Sequence, residues 1–242
     1  MKKTYAVLGD IHSNLDALTV VLEDAAAHGA NAFVCVGDVV GYNANPSECL
    51  EKIREIGAVA CRGNHDHYCA HDECLEDFHP LAANVIDWTR KQLSSDQLQY
   101  LKSLDYYVRA SGFTVVHSTL DMPEKWGYVF DSLEANAHFN YQSTSLCFHG
   151  HTHVPLVFEM SSRARRLPAD RLKLALGVKY FVNVGSVGQP RDGNPDASYV
   201  LYHMENREIE FRRLKYDVAK AQEKVRKVGL PERLAERLAL GK

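Results

Sequence analysis

CRGNHDHYCAHDEC, residues 61–74, sets three histidines and three cysteines within fourteen residues. Closed on itself it would be a zinc knuckle in a small metal-stapled module. As one corner of a larger site it would follow a strand of an α/β sheet. Cys61, Cys69 and Cys74 are separated by seven and four residues, without the closely paired cysteines that a closed structural zinc site uses. The spacing speaks against the knuckle, and the surrounding chain supplies the sheet.

Working outward, AVACRGN (58–64) completes a β-α-β-α-β pattern. YAVLGD (5–10) and FVCVGD (33–38) read as the two earlier strands. Between the first two strands, Leu15, Leu18, Val21, Leu22 and Ala25 share one helical face, with Gly29 as a stop. Before the third, Pro46 opens a helix that turns Cys49, Leu50, Ile53 and Ile56 inward. Such alternation implies parallel strands joined by crossover helices. A helical insert is expected from about 80 to 104, where Ser94 and Gln97 have capping-box spacing. Strand signals then return at FTVVHS, SLCFHG, LVFEM, LKLAL, KYFVNVGS, SYVLYHM and EIEFRRL, with more antiparallel pairing expected among them. The tail, 216–242, reads as two charged helices broken at Gly229-Leu230-Pro231. With no repeat or linker, residues 1–242 read as a single domain with a helical insert and a helical tail.

Composition removes several function classes. Of 242 residues, 45% are apolar and 24% charged, and the net charge is −3. Bulk attraction to nucleic acid or anionic lipid is therefore not expected, and no run has the length of a membrane span. MKKTYAVLGD passes from its charged start to only four apolar or aromatic residues before Gly9, unlike a secretory signal. A cytoplasmic location with reduced thiols is expected. Cys35, Cys61 and Cys147 lie in apolar runs and read as buried.

Functional groups of an α/β sheet collect beyond the carboxyl ends of its strands. Here those ends carry Asp10-Ile11-His12, Gly37-Asp38, Gly63-Asn64-His65-Asp66, His117, and Gly150-His151-Thr152-His153. Carboxylate, amide and imidazole without thiolate suit manganese, iron, nickel or zinc in a site open to water. Asp10, His12, Asp38, Asn64, His117, His151 and His153 are too many ligands for one open ion. With Asp38 bridging, they suit two divalent ions that clamp a phosphoryl group.

These five motifs, in this order over about 140 residues, resemble the calcineurin-like metallophosphoesterase superfamily. GDVVGYNANPSEC, NVIDWTRKQL, NVGSVGQPRDG and GLPERLAERLALG extend the resemblance to a prokaryotic branch of small phosphoesterases grouped with diadenosine polyphosphate hydrolases. The resemblance implies a four-layer α/β/β/α sandwich of two mixed sheets. It also implies one ion on Asp10, His12 and His153, and the other on Asn64, His117 and His151. Manganese is the leading expectation. His65 would face the substrate as an imidazolium, with Asp66 orienting its ring and raising its pKa. A hydroxide bridging the ions would attack small phosphodiesters or nucleotide phosphoanhydrides such as diadenosine tetraphosphate. The alternatives are a broad-specificity phosphomonoesterase and, from another class, a non-catalytic metal-binding scaffold. Protein phosphatases of this superfamily carry Asp-Arg-Gly where Gly41, Tyr42 and Asn43 stand here, so a protein substrate is not expected.

Around this set, Tyr42 and Arg191 are candidate substrate contacts, and Trp126 and Tyr128 candidate stacking groups. Each has a packing role as its bland alternative. His149 reads as an outer-shell group or a packed strand-end residue, and His67 and His71 as exposed loop residues. The six cations of segment 161–179 read as a solvated hairpin, with substrate steering as the minority reading. The expected partner is a small phosphorylated or nucleotide substrate, with self-association open.

Overall fold

Alternation along two strands sets up the layers. In β1 (Thr4–Leu8), Tyr5 and Val7 face one side while Ala6 and Leu8 face the other, and all four are buried. In β10 (Lys179–Asn183), Tyr180 and Val182 oppose Phe181 in the same way. Each sheet is therefore covered on both faces. This computed structural model describes residues 2–71, 73, 75 and 80–242. Cys74 and His79 lie outside the described residues.

The chain runs β1, α1 (Leu15–Ala27), β2 (Ala32–Cys35), α2 (Pro46–Glu55), β3 (Val59–Ala60), α3 (Asn64–Ala70), α4 (Pro80–Gln92), α5 (Ser95–Ser103), β4 (Tyr107–Ala110) and β5 (Phe113–Val116). After a 3-10 turn at Pro123–Lys125 come α6 (Ser132–Phe139), β6 (Leu146–His149), β7 (Leu156–Met160), β8 (Ala164–Leu167) and β9 (Leu172–Lys173). β10, β11 (Ala197–His203), β12 (Glu208–Leu214), α7 (Val218–Lys227) and α8 (Glu232–Leu240) complete it. Two six-stranded mixed sheets result, ordered β3-β2-β1-β11-β12-β9 and β4-β5-β6-β10-β7-β8. β1, β2 and β3 are parallel, as their helical crossovers require, and β11 joins β1 antiparallel.

Three apolar layers hold the sandwich. Val7, Val34 and Val200 from the first sheet meet Val115, Phe148 and Val182 from the second. The outer face of the first sheet, including Leu8, Cys35 and Leu201, is covered by α1 and α2 through Leu18, Val21, Leu50 and Ile53. The outer face of the second, with Cys147 and Phe181, is covered by α6 through Ala135 and Phe139. Each fully buried Leu, Ile or Phe contributes about 1.5–3 kcal/mol.

Helix ends tie this frame to the strand-end loops. The Asn14 side chain accepts the Ala17 N–H at 3.1 Å, capping α1, and donates to the Gly188 carbonyl at 3.0 Å. Such a cap is worth about 1 kcal/mol. The capping box at Ser94 and Gln97 opens α5. α7 and α8 pack on each other and on Val85 of α4, so the tail covers the insert of its own chain.

Several elements depart from expectation. α3 starts at Asn64 directly after β3, so Cys69 lies in a helix and is buried beneath α4. The LKLAL strand shrinks to Leu172–Lys173. β4, β8 and α6 carry weak patterns: β4 and β8 are half-exposed edge strands. The α6 capping box, Asp131 with Glu134, was legible as a start signal.

Candidate metal centre

The loops beyond β1, β2, β3, β5 and β6 bring the seven expected ligands together. Asp10, His12, Asp38 and His153 form one group of facing donor atoms, and Asp38, His117 and His151 form a second. Asn64 joins the second, its Oδ1 3.1 Å from His117 Nε2. Asp38 belongs to both: its Oδ2 lies 3.5 Å from His12 Nε2 and 3.3 Å from His117 Nε2. All except Asn64 are buried.

The backbone is bent hard to achieve this. Asp10, His12, Asp38, His151 and His153 have φ of 49°, 46°, 54°, 69° and 60°, the left-handed region that costs a non-glycine residue about 1–2 kcal/mol. Hydrogen bonds hold the turns. Asp10 N–H donates to the Gly37 carbonyl at 3.1 Å, and His12 N–H to the Asp38 carbonyl at 2.9 Å. His151 N–H donates to the Asp10 carboxylate at 3.1 Å. The glycines of two motifs are steric necessities. A Cβ at Gly63 would strike the Asp38 carboxylate, and one at Gly150 the Asp10 carboxylate.

Four histidines are oriented by backbone carbonyls. His12 Nδ1 lies 3.0 Å from the Val40 oxygen, His117 Nδ1 2.9 Å from Val36, His153 Nδ1 2.6 Å from Gln189, and His151 Nε2 2.8 Å from Trp126. A carbonyl only accepts, so each of these nitrogens carries the hydrogen. The opposite nitrogen of a neutral ring then presents a bare lone pair inward. His12 Nε2 faces His153 Nε2 at 3.1 Å, and His117 Nε2 faces His151 Nδ1 at 3.1 Å. For the neutral His12 and His153 the facing nitrogens are both lone pairs, which a bound cation would satisfy. His117, lifted to about 9, instead donates from Nε2 across the second contact until a metal displaces its proton. The donor set therefore fits a pair of metal ions.

Protonation follows the same logic. Burial drives His12 and His153 well below the ordinary histidine range, and burial with the nearby His117 charge lowers His151 to about 3. His117 is the exception: against burial, the Asp38 carboxylate lifts it to about 9. Against the upward push of burial, His117 and His65 hold Asp38 well below the carboxylate range. Burial lifts Asp10 to about 7, with His117 opposing and Asp38 assisting.

The expected role of Asp66 is corrected. Its carboxylate does not touch the His65 ring. It accepts the backbone N–H groups of Asp38 (2.7 Å), Val39 (2.9 Å), Val40 (3.2 Å) and Gly63 (3.1 Å). Asp66 thus shapes the loop that presents Asp38. Its position at the third residue of α3 turns it back toward the helix start and the β2 loop, away from the ring beside it. His65 is also no imidazolium here: burial lowers it to about 4 despite the Asp38 charge. Its ring stands edge-on to His12, with centroids 4.8 Å apart, and its Nδ1 has no hydrogen-bond partner.

The remaining candidates divide. Tyr42 packs on His12 and His65 with ring centroids 4.6 and 4.4 Å away, and the Arg191 guanidinium lies 5.6 Å from the Tyr42 ring centroid. Tyr128 stacks on His151 at 4.1 Å, and Trp126 lies 6.0 Å from His117. His149 is turned away: its ring stacks on Phe181 at 3.7 Å, a packing role. His67 is not an exposed loop residue. It is buried in α3, stacked on His71 at 4.4 Å and bonded to Glu73. In the basic segment, β8 pairs with β7 as a hairpin, and Arg165 and Arg171 meet Glu159 and Glu208. The orienting carbonyls and the four-donor grip on Asp66 have no side-chain signature, so sequence reading missed them.

Residues 4–207 match the calcineurin-like phosphoesterase superfamily domain. The chain is 40% identical to the uncharacterized protein MJ0912 of Methanocaldococcus jannaschii, with 100% of both chains covered. It superposes on the crystal structure of a metallophosphoesterase from Sphaerobacter thermophilus with a TM-score of 0.89 and 37% identity over 100% of each chain. It is 27% identical to the phosphodiesterase YfcE of Escherichia coli over 82% of this chain and 85% of that one. Among the described residues no helix is long and apolar enough to cross a membrane.

Proposed function

This chain belongs to the calcineurin-like phosphoesterase superfamily and is a metal-dependent phosphoesterase, and we propose that it hydrolyses small phosphodiesters or nucleotide phosphoanhydrides such as diadenosine tetraphosphate. One observation carries this reading: a single carboxylate, Asp38, serves two groups of inward-facing donors. Asp10, His12 and His153 would hold one divalent ion, Asn64, His117 and His151 the other, and Asp38 both. Oxygen and imidazole donors suit manganese first, then iron, nickel or zinc. When bound, such ions polarise phosphoryl oxygens and lower the pKa of water at the site.

The chain's own residues then position the ester. His65 is neutral with Nδ1 unpartnered in its packing. An orphaned N–H is the rarer defect in a protein interior, so the hydrogen belongs on Nε2. From there it donates to a phosphoryl or leaving-group oxygen, and an approaching phosphate raises the ring's pKa toward the range of a proton donor. The Arg191 guanidinium lies against Tyr42 at the edge of the site, and Trp126 and Tyr128, beside His117 and His151, offer flat surfaces for a base. Contact groups reaching beyond a single phosphate favour a diester or anhydride.

Metal-stripped protein should be assayed on bis-p-nitrophenyl phosphate, p-nitrophenyl phosphate and diadenosine tetraphosphate with manganese, nickel or zinc restored. Metal-dependent turnover of the first or third, ahead of the monoester, supports the proposal. Preference for the monoester assigns a phosphomonoesterase instead. Two bound ions without turnover of any substrate would indicate a scaffold.

A further inference from the structure

Tyr42 links the metal site to a pocket beside it. One face packs against His12 and His65; beyond it lies a pocket of about 200 Å³ lined by Tyr42, Leu81, Ala82, Arg191, Arg233 and Arg237. The cations come from two parts of the chain, the loop after β10 and the last helix, α8. Among the described residues no Asp or Glu side chain pairs with any of the three. The acids of α8 lie toward Arg226: Glu232 is bonded to it and Glu236 acts on its charge.

Two of the three arginines are held by hydrogen bonds, and among the described residues no acidic side chain neutralises any of them. Arg191 donates to Gln189 Oε1 at 2.8 Å, and Arg237 donates from Nε to the main-chain oxygen of Lys242 at 2.7 Å. Arg233 makes no hydrogen bond or ion pair among the described residues. Arg237 is half-buried, and its ordinary pKa is lowered by that burial and by the charges of Arg191 and Arg233. Like charges converging in a partly enclosed space destabilise the protein unless an anion answers them. The net charge of −3 means that this is a local concentration of positive charge.

We propose that this pocket receives a second phosphoryl group of the substrate while the first lies at the Asp38 centre. The preferred substrate then carries at least two phosphates, a nucleotide phosphoanhydride ahead of a simple diester. This rests on the hydrolase reading given above. α8 becomes a specificity element, which gives its docking onto α4 a function.

The test compares wild type with Arg233→Gln/Arg237→Gln on diadenosine tetraphosphate and on bis-p-nitrophenyl phosphate, which lacks a second phosphate. The ratio of the two kcat/KM values should fall roughly tenfold to a hundredfold, through KM, as expected for losing charge-assisted hydrogen bonds. Calorimetry with tripolyphosphate and metal-stripped protein gives a second readout: wild type binds and the variant does not. Arg233→Gln alone, which breaks no bond among the described residues, gives a smaller change in the same direction if the double variant fails to fold. An unchanged ratio with unchanged tripolyphosphate binding would overturn the pocket assignment and leave the hydrolase reading standing. If wild type turns over neither substrate, the hydrolase reading fails, and tripolyphosphate binding alone decides whether the pocket takes phosphate.

Discussion

His12 Nε2 and His153 Nε2 stand 3.1 Å apart, and the Nδ1 of each ring is bonded to a carbonyl, Val40 for one and Gln189 for the other. The carbonyls fix the tautomers, so the facing nitrogens are both lone pairs. A cation held by both would remove their repulsion and would also satisfy Asp10 and Asp38 beside them. Metal is therefore expected to stabilise the fold as well as to activate it. Adding manganese at about a thousand times its Kd should raise Tm on the order of 10 °C, from about 4 kcal/mol of linkage spread over a domain of this size. Differential scanning calorimetry with and without chelator checks this.

His65→Ala should separate chemistry from metal binding. The ring bonds to no expected ligand; only its backbone N–H reaches Asp38 Oδ1, at 2.8 Å, and alanine keeps that bond. Turnover should fall about 10²-fold or more, with metal content by elemental analysis unchanged.

Asp66→Asn should behave in the opposite way. An amide oxygen is a poorer acceptor for four backbone donors, and its NH₂ must face an N–H group. Loss of about 2–4 kcal/mol is expected from unsatisfied buried groups. Both ions should bind more weakly because the loop carrying Asp38 relaxes. Urea denaturation and metal titration measure the two effects.

Metal affinity should rise with pH. His117, an expected ligand lifted to about 9 by Asp38 against burial, holds a proton that a metal would have to displace throughout the neutral range. Asp10, lifted to about 7 by burial, adds a second below that pH. Apparent affinity should therefore fall about tenfold per pH unit from 8 to 7, and more steeply below 7. Calorimetric titration in buffers of different ionisation enthalpy reads the released protons directly.

Much of this was legible in the chain because the strands are apolar runs that end in polar clusters. Asp10, Asp38, Asn64, His117 and His151 each follow such a run closely, and the parallel topology carries them to one rim. What sequence could not show is how neighbouring side chains divide their attention. Asp66 and His65 are adjacent, yet one turns back to the β2 loop and the other toward His12. His149 and His151 share strand parity, but the strand ends at His149 and the left-handed turn at His151 separates their directions. β8 was hidden by its arginines, since an edge strand need not alternate in hydrophobicity. The arginine pocket joins residues far apart in sequence, and only the docking of α8 onto α4 assembles it.

The central claim, that Asp38 joins two ions in one catalytic centre, is met most directly by titrating stripped protein with manganese while following bis-p-nitrophenyl phosphate hydrolysis. Binding should saturate at two equivalents per chain, with turnover appearing as the second is bound, and Asp38→Ala should abolish turnover. Saturation at one equivalent with full activity, or turnover that persists in chelator, would contradict the account.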